Sequence, residues 1–140
     1  MKKRIILVSH GKAAEGMMHS VQMIIGQQPC LSSMGMMPGE HYQPMVDEIE
    51  REIRENPTVQ YIIIADLLGG SVCNGMMTLL QYSNVNLIAG LNMALVISLV
   101  LDEEQLSKEE IRNYIEEAKD ITKLVQFEET KENEEEEEFF

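Results

Sequence analysis

Short apolar runs alternate along the chain with longer stretches in which apolar residues recur every three or four positions. Three runs rich in β-branched residues predict β-strands at 3–8, 61–65 and 85–89, and a weaker run predicts another at 30–37. The run at 61–65, YIIIA, is apolar at every position. That pattern is typical of a parallel strand buried on both faces.

The stretches between and after these runs have helical periodicity. Apolar stripes predict helices over 13–25, 42–53, 72–80, 92–101 and 107–125. Local signals mark several ends: Gly26 closes the first helix, Asn92 caps the fourth, and Ser107 with Glu110 forms a capping box for the last.

Strands that alternate with helices predict an α/β fold. We expect an open, mostly parallel sheet in the order 2-1-3-4 with helices on both faces, a flavodoxin-like arrangement. A chain of 140 residues suits one compact domain, which we place at residues 1–127.

The charge of the chain is concentrated at its end. The formal net charge is −13, and residues 128–140 contribute −7 of it through eight Glu and one Lys. We expect this acidic tail to be solvated and disordered. The remaining body carries −6 and has no basic stripe, which argues against nucleic acid and favours a basic protein partner.

The sequence lacks the signals of zinc-binding, membrane-spanning and secreted proteins. Cys30 and Cys73 are isolated, form no zinc-binding spacing, and are expected to be small buried residues in a reducing compartment. No apolar run approaches the roughly 20 residues of a membrane helix. The start of the chain lacks the features of a signal peptide, so we expect a cytoplasmic protein. We also expect no metal and no cofactor.

Two polar residues follow neighbouring strands of the predicted sheet. His10 comes at the end of the first strand and Asp66 directly after the third. Ligands of open parallel sheets bind beyond the carboxyl ends of the strands, where the strand order reverses. A carboxylate that accepts one imidazole N–H orients the ring and leaves the other nitrogen as a directed nucleophile. The pair could therefore accept a phosphoryl group on His10.

Small residues surround this predicted pair. Gly11 relieves crowding beside His10, and Gly69, Gly70 and Ser71 open the helix after Asp66, where free N–H groups suit a phosphate. Each feature also has an ordinary structural explanation, since His and Asp often cap or turn the chain and glycines permit tight turns. No P-loop is present, so a nucleotide is not the obvious donor.

The segments SHGKAAEGMMHSVQMIIGQ, DLLGGSVCNGM and LIAGLNMALVISLVL resemble, in order and spacing, the signature regions of the mannose-family enzyme IIA of bacterial sugar phosphotransferase systems. The resemblance covers about residues 3–125. It implies that His10 is phosphorylated by the carrier protein HPr and passes the group to enzyme IIB, with the membrane subunits IIC and IID as indirect partners, while Asp66 holds the ring. It also implies a location beside the membrane transporter and a homodimer whose C-terminal strand crosses between subunits.

The chain departs from the family pattern at three places. Val72 and Ala94 stand where the family often has proline, and only Leu124, Val125 and Phe127 offer apolar residues for a crossing strand. These changes affect conformation and leave the chemical groups of the site intact.

Several alternatives remain open at this point. A regulatory phosphocarrier without a transport role would have the same motifs. A cobalt- or sirohydrochlorin-type chelatase would need a second histidine, for which His41 is the loop candidate. A receiver or flavin-binding module lacks support, since Ser9-His10 replaces the acidic pair and aromatics are few. The phosphocarrier subunit of dihydroxyacetone kinase typically has Gly-Ser where this chain has Gly-Gly-Ser.

Overall fold

A computed structural model describes residues 1–127, and the predicted acidic tail at 128–140 lies outside the described residues. Four strands form one sheet in the order β2-β1-β3-β4, and each neighbouring pair is parallel. The strands are β1 (Lys3–His10), β2 (Leu31–Met36), β3 (Gln60–Ala65) and β4 (Val85–Ala89). The predicted strand order is confirmed.

Five α-helices connect and follow the strands in the part of the chain that the structure describes. They are α1 (Ala13–Ile25), α2 (Gln43–Glu55), α3 (Ser71–Met76), α4 (Met93–Leu101) and α5 (Lys108–Lys119), and a 3-10 helix (Met77–Gln81) follows α3 directly. The predicted caps are confirmed: the Asn92 side chain accepts the Leu95 N–H at 3.0 Å, and Ser107 and Glu110 form the reciprocal capping box.

The central strands bury both of their faces, because helices cover the sheet on each side. Ile5 and Leu7 of β1 face a core shared with α1, α4 and α5. Ile6 and Val8, the residues between and after them, face a second core shared with α2 and α3. Successive strand side chains point to opposite faces, so a strand between two helical layers must be apolar at consecutive positions.

The helix predicted at 72–80 is shorter than its apolar stripe suggested. The α-helix ends at Met76, and the chain tightens into a 3-10 helix with three residues per turn. Met76 and Leu79, three positions apart, are therefore buried, whereas Met77 and Leu80 are exposed.

The last helix also ends earlier than predicted, at Lys119 instead of Val125. Ala118 is the last residue of α5 that is buried, and Ile121 and Val125 are exposed. Helices depend mainly on packing of an apolar face, and beyond Ala118 the described chain offers this face no core to pack against.

The two cysteines are free thiols in different surroundings. Cys73 is buried, as predicted, but Cys30 is only half-buried. Within residues 1–127, no helix is both long and apolar enough to cross a membrane.

Candidate functional site

The carboxyl ends of β1 and β3 bring His10 and Asp66 together. The two strands are hydrogen-bonded neighbours in parallel register, with Val8 beside Ala65. The Asp66 N–H continues this pairing by donating to the Val8 carbonyl at 3.1 Å. Because sheet pairing fixes the backbone of both strands, it also fixes the separation of the His10 and Asp66 Cα atoms.

One oxygen of Asp66 holds His10 at two points. Asp66 Oδ2 accepts the backbone N–H of His10 at 2.9 Å and lies 2.9 Å from ring Nδ1. A carboxylate is an acceptor, so the geometry assigns the ring proton to Nδ1. Nε2 is left without a proton in the neutral ring.

Burial and hydrogen bonding act on Asp66 in opposite directions. Burial alone would raise the pKa of Asp66, but the backbone N–H and ring of His10 outweigh it and hold the pKa below its usual value. The ionised carboxylate therefore contributes stability above the unfolded-state pKa of about 3.9. This contribution is lost as the pH falls through the lowered native-state pKa.

The free face of the imidazole is accessible and meets the loop after β3. The His10 side chain is 45% exposed, against 18% for Asp66. Ser71 Oγ lies 3.3 Å from Nε2, so the hydroxyl is the donor to this nitrogen. A Cβ on Gly70 would lie 3.3 Å from ring Cε1, so a side chain at this position would crowd the ring.

The first turn of α3 can contribute backbone N–H groups to the site, whereas the dipole of this short helix contributes little. The α-helical part is only six residues long, so few peptide dipoles are aligned along it. The N–H groups of a first turn have no partner within the helix, and they begin at Ser71, next to the exposed nitrogen of His10. Of the predicted residues, Gly70 and Ser71 thus lie beside the His10 ring, and Gly69 precedes them in the loop.

Comparison with known proteins places the chain in a family. A family model described as the PTS system fructose IIA component, EIIA-man, matches residues 4–116. The chain belongs to the EIIA-man family. Family members are IIA components of the sugar phosphotransferase system (PTS), and IIA components are phosphotransferases.

Individual relatives support the assignment. The sorbose-specific EIIA component of Klebsiella pneumoniae is 27% identical over 111 residues, which are 79% of this chain and 82% of the relative. The mannose-specific EIIAB component of Escherichia coli (strain K12) is 22% identical over 99 residues, 69% of this chain and 31% of that protein. The mannose/sorbose specific IIA subunit from Enterococcus faecalis has a TM-score of 0.79 at 26% identity, covering 91% of this chain and 97% of the other.

The other two histidines of this EIIA-man chain lie in different surroundings. His19 is exposed on α1. His41 is also exposed; its ring packs on Tyr42 at 4.2 Å between centroids, and its Nδ1 accepts the Gln43 N–H. Residues 1–127 contain no group of three or more His, Cys, Asp or Glu side chains that could hold a metal ion. The family match favours the phosphotransferase-system hypothesis over the chelatase hypothesis.

Two residues that shape the His10 turn were not singled out by sequence reasoning. Ser9 is fully buried, and its hydroxyl accepts the Ala14 N–H at 2.8 Å at the start of α1. Gly35 of β2 lies so close to Gly11 that a Cβ would collide with the Gly11 carbonyl oxygen. A glycine inside a strand is a recognised sign of close backbone approach, so Gly35 carried a usable signal.

Gly11 itself occupies a conformation that favours glycine. Its φ is +55°, in the left-handed region, and its N–H donates to the Met36 carbonyl at 2.8 Å. The chain therefore turns sharply after His10 while β2 supports the turn from the side.

Proposed function

We propose that this EIIA-man chain is a phosphohistidine carrier for sugar uptake, accepting a phosphoryl group on His10 from phospho-HPr and passing it to an enzyme IIB. The observation that carries the proposal is the double contact of Asp66 Oδ2 with the backbone N–H and Nδ1 of His10. It leaves Nε2 as the nucleophile at an exposed position.

The transfer step needs no metal or cofactor. The Nε2 lone pair attacks the phosphorus of the donor phosphohistidine in line. A new N–P bond forms at His10, and the donor's N–P bond breaks. The donor imidazole leaves as a neutral ring when its other nitrogen carries a proton. The His10 ring gains positive charge because its Nδ1 keeps its proton. Asp66 stabilises that charge, and its fixed position avoids reorganisation during transfer.

The loop after β3 is the part of the site that we expect to hold the phosphoryl oxygens. Ser71 Oγ, 3.3 Å from Nε2, can rotate its hydrogen from the nitrogen to a phosphoryl oxygen after transfer. Gly70 keeps a side chain away from the ring, since a Cβ there would lie 3.3 Å from His10 Cε1. Gly11 and Gly69 adopt positive φ angles of 55° and 80°, which shape the turns on either side of the site. The proposed phosphate-binding residues are therefore Gly11, Gly69, Gly70 and Ser71.

The proposed partners indicate the cellular location of the chain. HPr and IIB are the donor and acceptor that the family resemblance implies, and the membrane subunits IIC and IID receive the group through IIB. We therefore propose a cytoplasmic protein that works beside the membrane transporter.

We also propose that the chain works as a homodimer. Among the strands of residues 1–127, β4 lies at the edge of the sheet with only β3 beside it, and Leu124 and Val125 are exposed beyond α5. An open edge with unpaired backbone groups is a site for strand addition. The segment around Leu124 and Val125 of a second copy can cover that edge, as the family resemblance implies.

Sedimentation equilibrium tests the dimer. We expect the wild-type chain to have twice the monomer mass, and Leu124→Asp with Val125→Asp to shift it towards monomer. Leu101→Asp, which changes an exposed leucine of α4, should leave the mass unchanged. A monomeric wild type at micromolar concentration contradicts the proposal.

Phosphorylation at His10 is tested by labelling. With enzyme I, HPr and radioactive phosphoenolpyruvate, we expect His10→Ala to accept no label because it lacks the nucleophile. His19→Ala and His41→Ala should accept close to one phosphoryl group per chain, like the wild type. Stoichiometric label in His10→Ala would show that another residue carries the group.

The role of Asp66 is tested by Asp66→Asn, which keeps the size of the side chain but removes its charge. We expect the rate of transfer from phospho-HPr to fall about 10- to 10³-fold, less than the loss of about 10⁴ that the comparable change causes in a serine protease triad. Stopped-flow or quench-flow transfer rates measure the effect. Asp47→Asn, an exposed change on α2, serves as the control, and a wild-type rate in Asp66→Asn refutes the role.

A further inference from the structure

The loop that follows β3 exposes two large apolar side chains beside the site. Leu67 is 60% exposed and Leu68 is 81% exposed. The loop is hydrogen-bonded, since the Leu67 carbonyl accepts the Gly70 N–H at 3.2 Å. A hydrogen-bonded turn therefore holds the two leucines in solvent, although burial of their apolar side chains would be favourable.

Leu67 lies close to the imidazole ring of His10, and Leu68 is the next residue of the same loop. The point where a Gly70 side chain would begin is 3.5 Å from Leu67 Cβ and 3.3 Å from His10 Cε1. The apolar loop and the exposed imidazole thus share one small patch of surface around Gly70.

Transfer between two histidines brings a second protein onto this patch. Reacting atoms must approach to about 3–3.5 Å, and His10 is a surface residue, so the donor's backbone and neighbouring side chains must come down around the ring. A protein that places its phosphohistidine against Nε2 covers the loop beside the ring in the same step. Exposed leucines at that position would lose water contact when such a protein is docked.

The charge of the chain constrains the donor further. The body, residues 1–127, has a net charge of −6, so it attracts a partner surface with basic side chains. The complementary partner is a protein whose phosphohistidine is flanked by apolar side chains, with basic residues around them.

We propose that Leu67 and Leu68 form the apolar docking surface for the phosphohistidine donor protein. This inference rests on the proposed function and names the contact that brings the donor to His10. The leucines act by binding the donor, and they take no part in activating the imidazole.

The test compares a protein donor with a small one. In Leu67→Ala/Leu68→Ala, we expect the KM for phospho-HPr to rise about 10- to 100-fold, with the rate at saturating donor within about threefold of wild type. Phosphorylation of His10 by phosphoramidate, which needs no docking surface, should proceed at the wild-type rate.

A matched control comes from the other end of the sheet. Leu101 at the end of α4 is 57% exposed, and the carbonyl of the next residue, Asp102, accepts the Lys3 ammonium at the start of β1. Leu101→Ala should therefore leave both donors unaffected.

The outcomes separate the docking surface from the carrier function. An unchanged KM for phospho-HPr in the double variant overturns the docking surface alone. An equal loss with phosphoramidate also overturns it, because the leucines would then act on the ring. A wild-type chain that takes no label from phospho-HPr overturns the carrier function and the docking surface together.

Discussion

The site depends on one oxygen atom, Asp66 Oδ2, which receives both the backbone N–H and the ring Nδ1 of His10 at 2.9 Å. The backbone contact ties the carboxylate to the end of β1, and the ring contact then fixes which imidazole nitrogen carries the proton. A single acceptor thereby couples the position of the strand to the chemistry of the side chain. The lowered pKa of Asp66 follows from the same two hydrogen bonds, which outweigh the effect of burial.

The rest of the fold serves to hold that oxygen in place. Parallel pairing of β1 with β3 sets the spacing of the two strand ends, and apolar side chains on both faces lock the strands between helical layers. On the other side of β1, Gly35 lets β2 approach the turn at Gly11. The exposed face of the ring and the neighbouring leucines are left accessible to a partner.

Much of this could be predicted from the sequence because the strongest signals are local or periodic. YIIIA at 61–65 indicated a strand buried on both faces, and the boundaries 85–89 agree with β4. His10 and Asp66 could be placed at one edge because parallel strands end on the same side. The signals failed where tertiary packing decides: the 3-10 turn after Met76 and the end of α5 at Lys119 depend on which surface is available to bury a side chain. Ser9 begins the segment SHGKAAEGMMHSVQMIIGQ that carries the family resemblance, but only the structure connects its hydroxyl to the start of α1.

The proton on the His10 ring is the most direct test of the account. Long-range ¹H–¹⁵N correlation NMR on unphosphorylated protein with ¹⁵N-labelled histidine, recorded at a pH where the ring is neutral, distinguishes the two tautomers. We predict a protonated Nδ1 and an unprotonated Nε2 in the wild type, with this preference weakened in Asp66→Asn. A wild-type ring protonated on Nε2 would contradict the account, because Asp66 would then not be the acceptor that directs the nucleophile.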